Sequence, residues 1–382
     1  MSETNGLNEL RRQIDGIDDE IKSLYLKRMG VAAEIGALKA ETGANVNDFS
    51  REKEIVYRIT SNVPENMKLY VKELYDTIFL TSKAYQNRYV HKTSPSVEEI
   101  KKNLKDVPSE FPLSATVACQ GIEGANSGDA AEKLFPISDI TYFKNFEGVF
   151  SAVEKGLCEY GVLPIENSTA GSVLEVYDLM KKYRFSIVKT VRLRISHCIA
   201  ARKDVQMKDV TTVYSHPQAI SQCSEFIKNA GLKAQTSENT ATAAKWLNET
   251  DDKTAAVLCS EKCAEFYGLK ILKKGVQNNN DNYTRFICIS KNLKIFKGAD
   301  KISVMTGLEH TPGSLNRILS RFYAMGLNLT KIESRPTGMG FEFMFYFDFE
   351  GDIADENVQN LIADLENGSD KFIFLGSYKE IV

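Results

Sequence analysis

The 382-residue sequence predicts a multidomain protein. An all-α segment comes first, an α/β segment follows, and a small α+β segment of ferredoxin-like order βαββαβ closes the chain. Three observations predict it. Residues 1–111 contain no cysteine, all seven cysteines lie between 119 and 288, and none follows. Apolar residues recur at helical spacing in the first stretch, then give way from 113 to short strand-like runs alternating with helices. From about 300 the periods switch in the order strand, helix, strand, strand, helix, strand. The expected limits are 1–92 for the helical domain, 93–111 for a linker, 112–291 for the α/β domain and 299–382 for the last.

The first helix, Leu7–Lys39, organises the helical domain. Leu7, Leu10, Ile14, Ile17, Ile21, Leu24, Val31, Ile35 and Leu38 form a 3-4-3-4 seam without proline. One slot of the seam holds Arg28. An unpaired guanidinium costs several kcal/mol to bury, so either the seam opens to water there or an anion sits against Arg28. Residues 50–61 and 66–89 read as two further helices. The stretch 90–112 carries Pro95, Pro108 and Pro112 and reads as a linker with room for one short helix.

In the α/β segment, strands are expected at Ala115–Cys119, Ile140–Phe143, Tyr160–Leu163, Thr212–Tyr214 and Thr254–Leu258. Helices are expected at Asp129–Leu134, Phe146–Lys155, Ser172–Tyr183, Ala219–Asn229, Thr240–Asn248 and Ser260–Tyr267. The last domain reads as Lys301–Thr306 (strand), Gly313–Met325 (helix), Leu329–Ser334 and Phe341–Phe349 (strands), Asp355–Glu366 (helix) and Phe372–Ser377 (strand).

Composition removes several classes of function. A hydrophobic fraction of 43% with 26% charged residues is ordinary for a globular protein, and a net charge of −3 leaves no basic footprint for nucleic acid. No apolar run approaches the ~18 residues of a membrane span, and the polar, acidic N-terminus is unlike a secretory signal. Seven cysteines without a CxxC pair read as buried thiols of a reducing cytoplasm. The four histidines, His91, His197, His216 and His310, show no metal-ligand spacing, and no cofactor motif is present.

A helix over 7–39 is about 48 Å long, and two shorter helices cannot cover its seam. The expectation is an intertwined homodimer or a higher homo-oligomer. Arg28 and Lys39 are three turns apart, about 17 Å along one face, and could grip a small dianion between them. Arg11 lies about 42 Å from Lys39, so only a partner's Arg11 could reach that site. The second helix opens on Asp48, Arg51 and Glu52, with Ser50 or Asp48 as N-cap. The third carries Ser82 and Gln86 on one face. Taken singly, Arg11, Arg51 and Glu52 read as solvated surface; Arg28 does not.

Together these positions resemble the all-α chorismate mutase family over residues 5–90. The resemblance implies that Arg28 and the other subunit's Arg11 hold the two carboxylates of chorismate. It implies that Lys39 and Gln86 donate to the breaking ether oxygen and that Glu52 accepts from the substrate hydroxyl. Asp48, Arg51 and Ser82 would complete the pocket. The rearrangement is pericyclic and needs no nucleophile or cofactor, only a reactive geometry and stabilised charge.

Four clusters stand out in the α/β segment. Gly121, Gly124, Asn126, Ser127 and Gly128 form a Gly-rich turn without GxGxxG spacing. Leu163-Pro164-Ile165-Glu166-Asn167-Ser168-Thr169 ends a strand, where α/β proteins place ligands, although Ser168 or Thr169 could equally cap a helix. Tyr214-Ser215-His216-Pro217-Gln218 is a strand-to-helix turn in which His216 could be structural, and Gln277–Asn282 is a polar loop, by default a surface turn, leading into Tyr283-Thr284-Arg285-Phe286. The combination resembles the prephenate dehydratase family over about 113–290. That family has two α/β lobes, similar to periplasmic binding proteins, with substrate in the cleft. The resemblance implies Thr284 as proton donor and Arg285 as carboxylate partner. Ser127, Glu166, Asn167, Ser168, Thr169, Ser215, His216 and Gln218 would line the cleft. One departure is Asn126, where the family usually has an aromatic residue.

The C-terminal segment carries Gly313-Ser314-Leu315-Asn316 at a strand-to-helix turn and Glu333-Ser334-Arg335-Pro336 at a strand end. Helix capping and an ordinary hairpin end would explain them. The pair resembles the ACT domain fused to prephenate dehydratases, which implies that both segments bind phenylalanine at an interface between subunits. Ser314 stands where that family often has Ala. The resulting expectation is a bifunctional, cofactor-free enzyme running chorismate to prephenate to phenylpyruvate under phenylalanine control. An NAD-dependent dehydrogenase fusion would need a GxGxxG βαβ unit, which is absent. A mere ligand sensor would not need the polar set of the helical domain.

Overall fold

The computed structural model describes all residues except 1, 44, 45, 47, 87, 88, 90–92, 109, 309, 310, 312, 337–342 and 370, and for 2–5 and 49 the backbone alone. His91, His310 and Phe341 lie outside the described residues. The chain divides into two compact units. One comprises residues 1–98, 306–345 and 349–372, the other 99–305, 346–348 and 373–382.

In the first unit, α1 (Ser2–Thr42) precedes α2 (Phe49–Thr60) and α3 (Lys68–Gln86), and α4 (Pro95–Leu104) runs from the first unit into the second. Asp48 caps α2 by accepting from the Arg51 N–H at 2.9 Å. The helix α1 packs on α3 through Tyr25, whose hydroxyl donates to Thr81 at 2.8 Å, and through Ala32 and Gly36, both buried. A Cβ at Gly36 would stand 3.0 Å from the Gln86 Cα, so the small residue permits the approach. The apolar seam of α1 is turned elsewhere: Leu7, Leu10, Ile14, Ile17, Ile21, Leu24, Val31, Ile35 and Leu38 are 41–65% exposed. Within the expected linker, α4 buries Val97 and Ile100 completely. Its Ser96 N–H and hydroxyl donate to the Glu366 carboxylate at 3.0 and 2.9 Å.

The α/β segment begins β1 (Ser114–Gln120), α5 (Asn126–Leu134), β2 (Ile137–Phe143), α6 (Phe146–Glu154), β3 (Tyr160–Asn167) and β4 (Gly171–Ser172). It continues α7 (Leu174–Tyr183), β5 (Ser186–Arg194), β6 (Cys198–Ala201), β7 (Thr212–Ser215), α8 (Pro217–Gln222), α9 (Ser224–Asn229) and β8 (Lys233–Thr236). Then come α10 (Thr240–Glu249), β9 (Ala255–Cys259), α11 (Glu261–Phe266), β10 (Lys270–Lys273) and β11 (Tyr283–Ser290). These strands build two sheets, hence two lobes, as expected. One lobe orders its strands β5-β11-β3-β1-β2 and the other β10-β6-β9-β7-β8. Alanine-rich helix faces, such as Ala130 and Ala131 of α5 against Val117 and Val162, fill the first core. Ala243 and Ala244 of α10 do so in the second.

Several local expectations change. Helix α5 begins at Asn126, so Ser127 and Gly128 belong to its first turn. Ser172 lies in a short strand and α7 starts only at Leu174. The helix expected over 219–229 breaks at Cys223, whose φ of −114° ends α8. The C-terminal order is β12 (Lys301–Leu308), α12 (Ser314–Ala324), β13 (Leu329–Pro336), β14 (Phe343–Glu350), α13 (Glu356–Asn367) and β15 (Phe372–Tyr378). The sheet order β13-β14-β12-β15 is the ferredoxin-like one. A last strand, β16 (Glu380–Ile381), leaves that sheet and pairs in parallel with β5 of the first lobe, Glu380 opposite Thr190. Gly376 makes this possible: a Cβ there would stand 2.3 Å from the Ile187 carbonyl oxygen. Among the described residues no helix is long and apolar enough to cross a membrane, and no His/Cys/Asp/Glu group could hold a metal ion.

Candidate active sites

The helical site forms between α1 and α3. Arg28 donates to the buried Ser82 hydroxyl, and its guanidinium lies 5.9 Å from the centre of the Phe79 ring. Ser82 and Gln86, four residues apart, face the same way and are both buried. Gln86 Oε1 is buried with no hydrogen-bond partner among the described residues, which leaves one polar atom of this amide unsatisfied within the chain. Lys39 Nζ donates to the Val46 carbonyl at 3.1 Å. Glu52 pairs with Lys83 at 2.9 Å and both are half-buried. Arg51 pairs instead with Glu54, at 2.6 Å on the surface, and Asp48 serves as the helix cap already described. Arg11 is exposed on α1 and is not brought to this site within one chain.

The second site lies at the ends of β3 and β11, facing α8. Asn167 is its pivot. Its Oδ1 accepts from the Thr169 and Ala170 N–H groups at 3.1 and 2.9 Å and from the Thr169 hydroxyl at 2.7 Å. That fixes which way the amide points. Its Nδ2 therefore donates to Thr284 Oγ1 at 2.9 Å and to Asn282 Oδ1 at 2.8 Å. Since Thr284 Oγ1 accepts this bond, its own proton is directed elsewhere. Asn282 is almost fully buried, and its Nδ2 has no partner among the described residues.

A polar chain continues from Asn167 into the other lobe. Gln222 Nε2 donates to Thr169 Oγ1 at 3.0 Å, and Gln222 Oε1 meets His197 Nε2 at 3.0 Å. Burial pushes the His197 ring below its usual pKa, against the opposing pull of Gln222. Ser168 ties the β3 end to β11: its hydroxyl donates to the Asp281 carbonyl at 3.2 Å and accepts from the Tyr283 N–H at 3.0 Å. Ser215 is fully buried and donates to the Leu258 carbonyl at 2.7 Å, inside the sheet. His216 caps α8 through Nδ1, which accepts from the Gln218 N–H at 3.2 Å. Burial lowers its pKa, which keeps that ring a neutral acceptor.

Ser127 is buried at the start of α5. The turn before it is pressed against the other lobe, since the Tyr267 hydroxyl donates to the Glu123 carbonyl at 2.8 Å. Glu166, one residue before the end of β3, lies opposite Ser172. Arg285 is the exception: its guanidinium faces Asp348, Tyr378 and Glu380 rather than Asn167. Three residues escaped the sequence reading. Asn282 lies two positions before Thr284, on the same strand period, and Gln222 one turn after Gln218 on α8. His197 carried no local signal.

In the C-terminal domain, Gly313 is the N-cap of α12, with a φ of +80°. The Ser314 hydroxyl, nearly buried, lies 2.7 Å from Thr311 Oγ1 and accepts from Arg317 Nη2 at 2.9 Å. Leu315 is half-buried and Asn316 exposed. The strand β13 occupies a sheet edge, with Glu333 and Arg335 half-buried on one side and Ser334 and Pro336 exposed on the other. Glu333 Oε2 lies 3.7 Å from Lys331 Nζ.

Comparison with known proteins finds a family match in each of the three segments. Residues 10–87 match the chorismate mutase type II family, residues 117–294 the prephenate dehydratase family and residues 302–367 the ACT domain. A bifunctional chorismate mutase/prephenate dehydratase from Aquifex aeolicus is 31% identical, over 97% of this chain and 97% of its own. The arogenate dehydratase/prephenate dehydratase 2 of Arabidopsis thaliana is 38% identical over 73% of this chain and 80% of its own. The solved prephenate dehydratase from Arthrobacter aurescens, in complex with L-Phe, superposes with a TM-score of 0.64 at 30% identity, covering 69% of this chain and 89% of that one. The chain belongs to the bifunctional chorismate mutase–prephenate dehydratase family, whose members rearrange chorismate to prephenate and convert prephenate to phenylpyruvate.

Proposed function

We propose that Thr284 is the proton donor of the dehydratase step and that Asn167 holds it for that role. The hydrogen bond from Asn167 Nδ2 to Thr284 Oγ1, 2.9 Å long, carries this reading. A hydroxyl that accepts one bond becomes a better donor in the next, and its proton can point only away from Asn167. Prephenate loses CO2 as the bonding pair enters the ring and the ring hydroxyl leaves with one added proton. Water, CO2 and phenylpyruvate account for every atom. Thr284 supplies the hydrogen bond to that departing hydroxyl. Asn282 Nδ2, Ser127 and the first turn of α5 offer neutral donors for the side-chain carboxylate. Glu166, Ser168, Thr169, Ser215, His216 and Gln218 shape the cleft around it.

In the helical domain Arg28 and the partner subunit's Arg11 grip the carboxylates of chorismate. Lys39 and Gln86 stabilise charge on the ether oxygen, and Glu52 accepts from the hydroxyl. Asp48, Arg51 and Ser82 shape the pocket. The bare seam of α1 supports the dimer this needs, because a second α1 offers the complementary apolar surface. The segments Gly313–Asn316 and Glu333–Pro336 bind phenylalanine and slow the second step. The phenylalanine complex of the Arthrobacter aurescens relative and the edge position of β13 support this. The seven buried free cysteines support a reducing, cytoplasmic setting. The test is to compare Asn167→Ala with wild type on added prephenate. Loss of phenylpyruvate formation with retained mutase activity supports the reading; an unchanged dehydratase rate overturns it.

A further inference from the structure

Thr284 and Arg285 are neighbours on β11, and consecutive residues of a strand point to opposite sides. With Thr284 turned to Asn167, Arg285 faces the other way. Its side chain is 8% exposed and each of its three nitrogens meets a group of the chain. Nη1 pairs with the fully buried Asp348, Nη2 donates to the Tyr378 hydroxyl at 2.8 Å, and Nε lies 3.0 Å from Glu380 Oε1 as an ion pair without hydrogen-bond geometry.

The partners are themselves held. Asp348 Oδ1 accepts from Ser303. Ser303 Oγ lies 2.6 Å from the Tyr378 hydroxyl and accepts from the Tyr346 hydroxyl at 3.1 Å. The Tyr346 ring meets Tyr177 of α7 edge-on at 4.8 Å. Glu380 also pairs with Arg192 at 2.6 Å and Lys301 at 3.1 Å. Charges this deep are tolerated only when paired, and removing one partner strands the other.

We propose that Arg285 is a positioning residue rather than a ligand of the substrate carboxylate: clamped by Asp348 and Tyr378, it fixes β11 and thereby the Thr284 hydroxyl. The dehydratase step then depends on β14, β15 and β16, although none of them reaches the reacting atoms. This rests on the reading of Thr284 as proton donor.

The test uses the full chain and prephenate. Asp348→Asn keeps the shape and removes the charge; Tyr378→Phe removes only the hydroxyl. In both, kcat should fall about 10- to 100-fold, the scale of a small misplacement at the reacting centre, with KM within about twofold. Far-UV circular dichroism and the thermal transition of each preparation report whether the unit carrying β11 is folded. Arg285→Lys should recover part of the kcat lost in Arg285→Ala, and Arg285→Ala combined with Asp348→Asn should be no worse than Arg285→Ala alone. A wild-type kcat in Asp348→Asn, with KM raised about 100-fold in Arg285→Ala, would make Arg285 a substrate ligand and overturn the proposal. If Asp348→Asn does not fold, Tyr378→Phe decides, because an unchanged kcat there also overturns it. Full activity in Thr284→Val, by contrast, refutes the underlying reading and this proposal with it.

Discussion

Replacing Thr284 by Val separates the hydroxyl from everything else at its position. The two side chains have nearly the same volume, both are β-branched, and Thr284 is 9% exposed near the start of β11, so the strand has no reason to move. Asn167 Nδ2 loses one acceptor but retains Asn282 Oδ1 at 2.8 Å and the Tyr283 carbonyl at 3.3 Å. No buried donor is orphaned, and the stability change should stay within about 1 kcal/mol. The catalytic effect is far larger. A positioned proton donor contributes about 10²- to 10⁴-fold, or roughly 3–5 kcal/mol of barrier. The assay is phenylpyruvate formation from added prephenate, with mutase activity on chorismate as the internal control. Thr284→Val should lose at least about 100-fold in kcat, while Thr284→Ser, which keeps the hydroxyl, should retain most of it. A valine variant within about fivefold of wild type would refute the reasoning; so would a serine variant as impaired as valine.

Arg28→Ala should abolish mutase activity and leave dehydratase activity on added prephenate intact; loss of both would mean Arg28 holds up the fold. Ile17→Glu, in the exposed seam of α1, should convert the dimer to monomers in sedimentation and remove mutase activity, whereas an unchanged sedimentation coefficient would count against the shared site. Phenylalanine should slow the dehydratase reaction of the wild type, and Glu333→Ala should lose that inhibition, read as the dose response of phenylpyruvate formation. His197 and His216 both titrate below their usual 6.5 in the fold because burial disfavours the charged ring. The unfolded chain therefore takes up protons first as pH falls below that value. Their contribution to stability is complete above it and declines as the pH drops toward the folded values. Denaturant midpoints at pH 7 and 5 should show the decline, and His197→Gln should flatten it.

Periodicity made the helical domain and the C-terminal βαββαβ order legible, because each element there changes the spacing of apolar residues. The inner strand β5 was hidden by Lys189 and Arg192, which break its apolar run. Lys189 is accommodated by lying 4.2 Å from the centre of the Phe111 ring, a contact no sequence period announces. The edge strand β8 is exposed at every position and carries no burial signal. In the sites, the residues sharing a short motif were readable, but not the direction of each side chain. Thr284 and Arg285 look like one unit in sequence, and strand alternation sends them to opposite sides. Gln222 and His197 join the polar chain only because the two lobes meet at Thr169. The seam of α1 was read correctly as apolar, but a single chain uses the adjacent face, Tyr25, Arg28, Ala32 and Gly36, to pack on α3.

The central claim is that one polypeptide, paired with a second copy of itself, carries both steps with its own side chains. The direct measurement is a product time course from chorismate alone, with purified protein and no added cofactor. Phenylpyruvate and CO2 should appear in equal amounts in the wild type, while Thr284→Val should stop at prephenate. Prephenate accumulating in the wild type, or a requirement for NAD, would contradict the account.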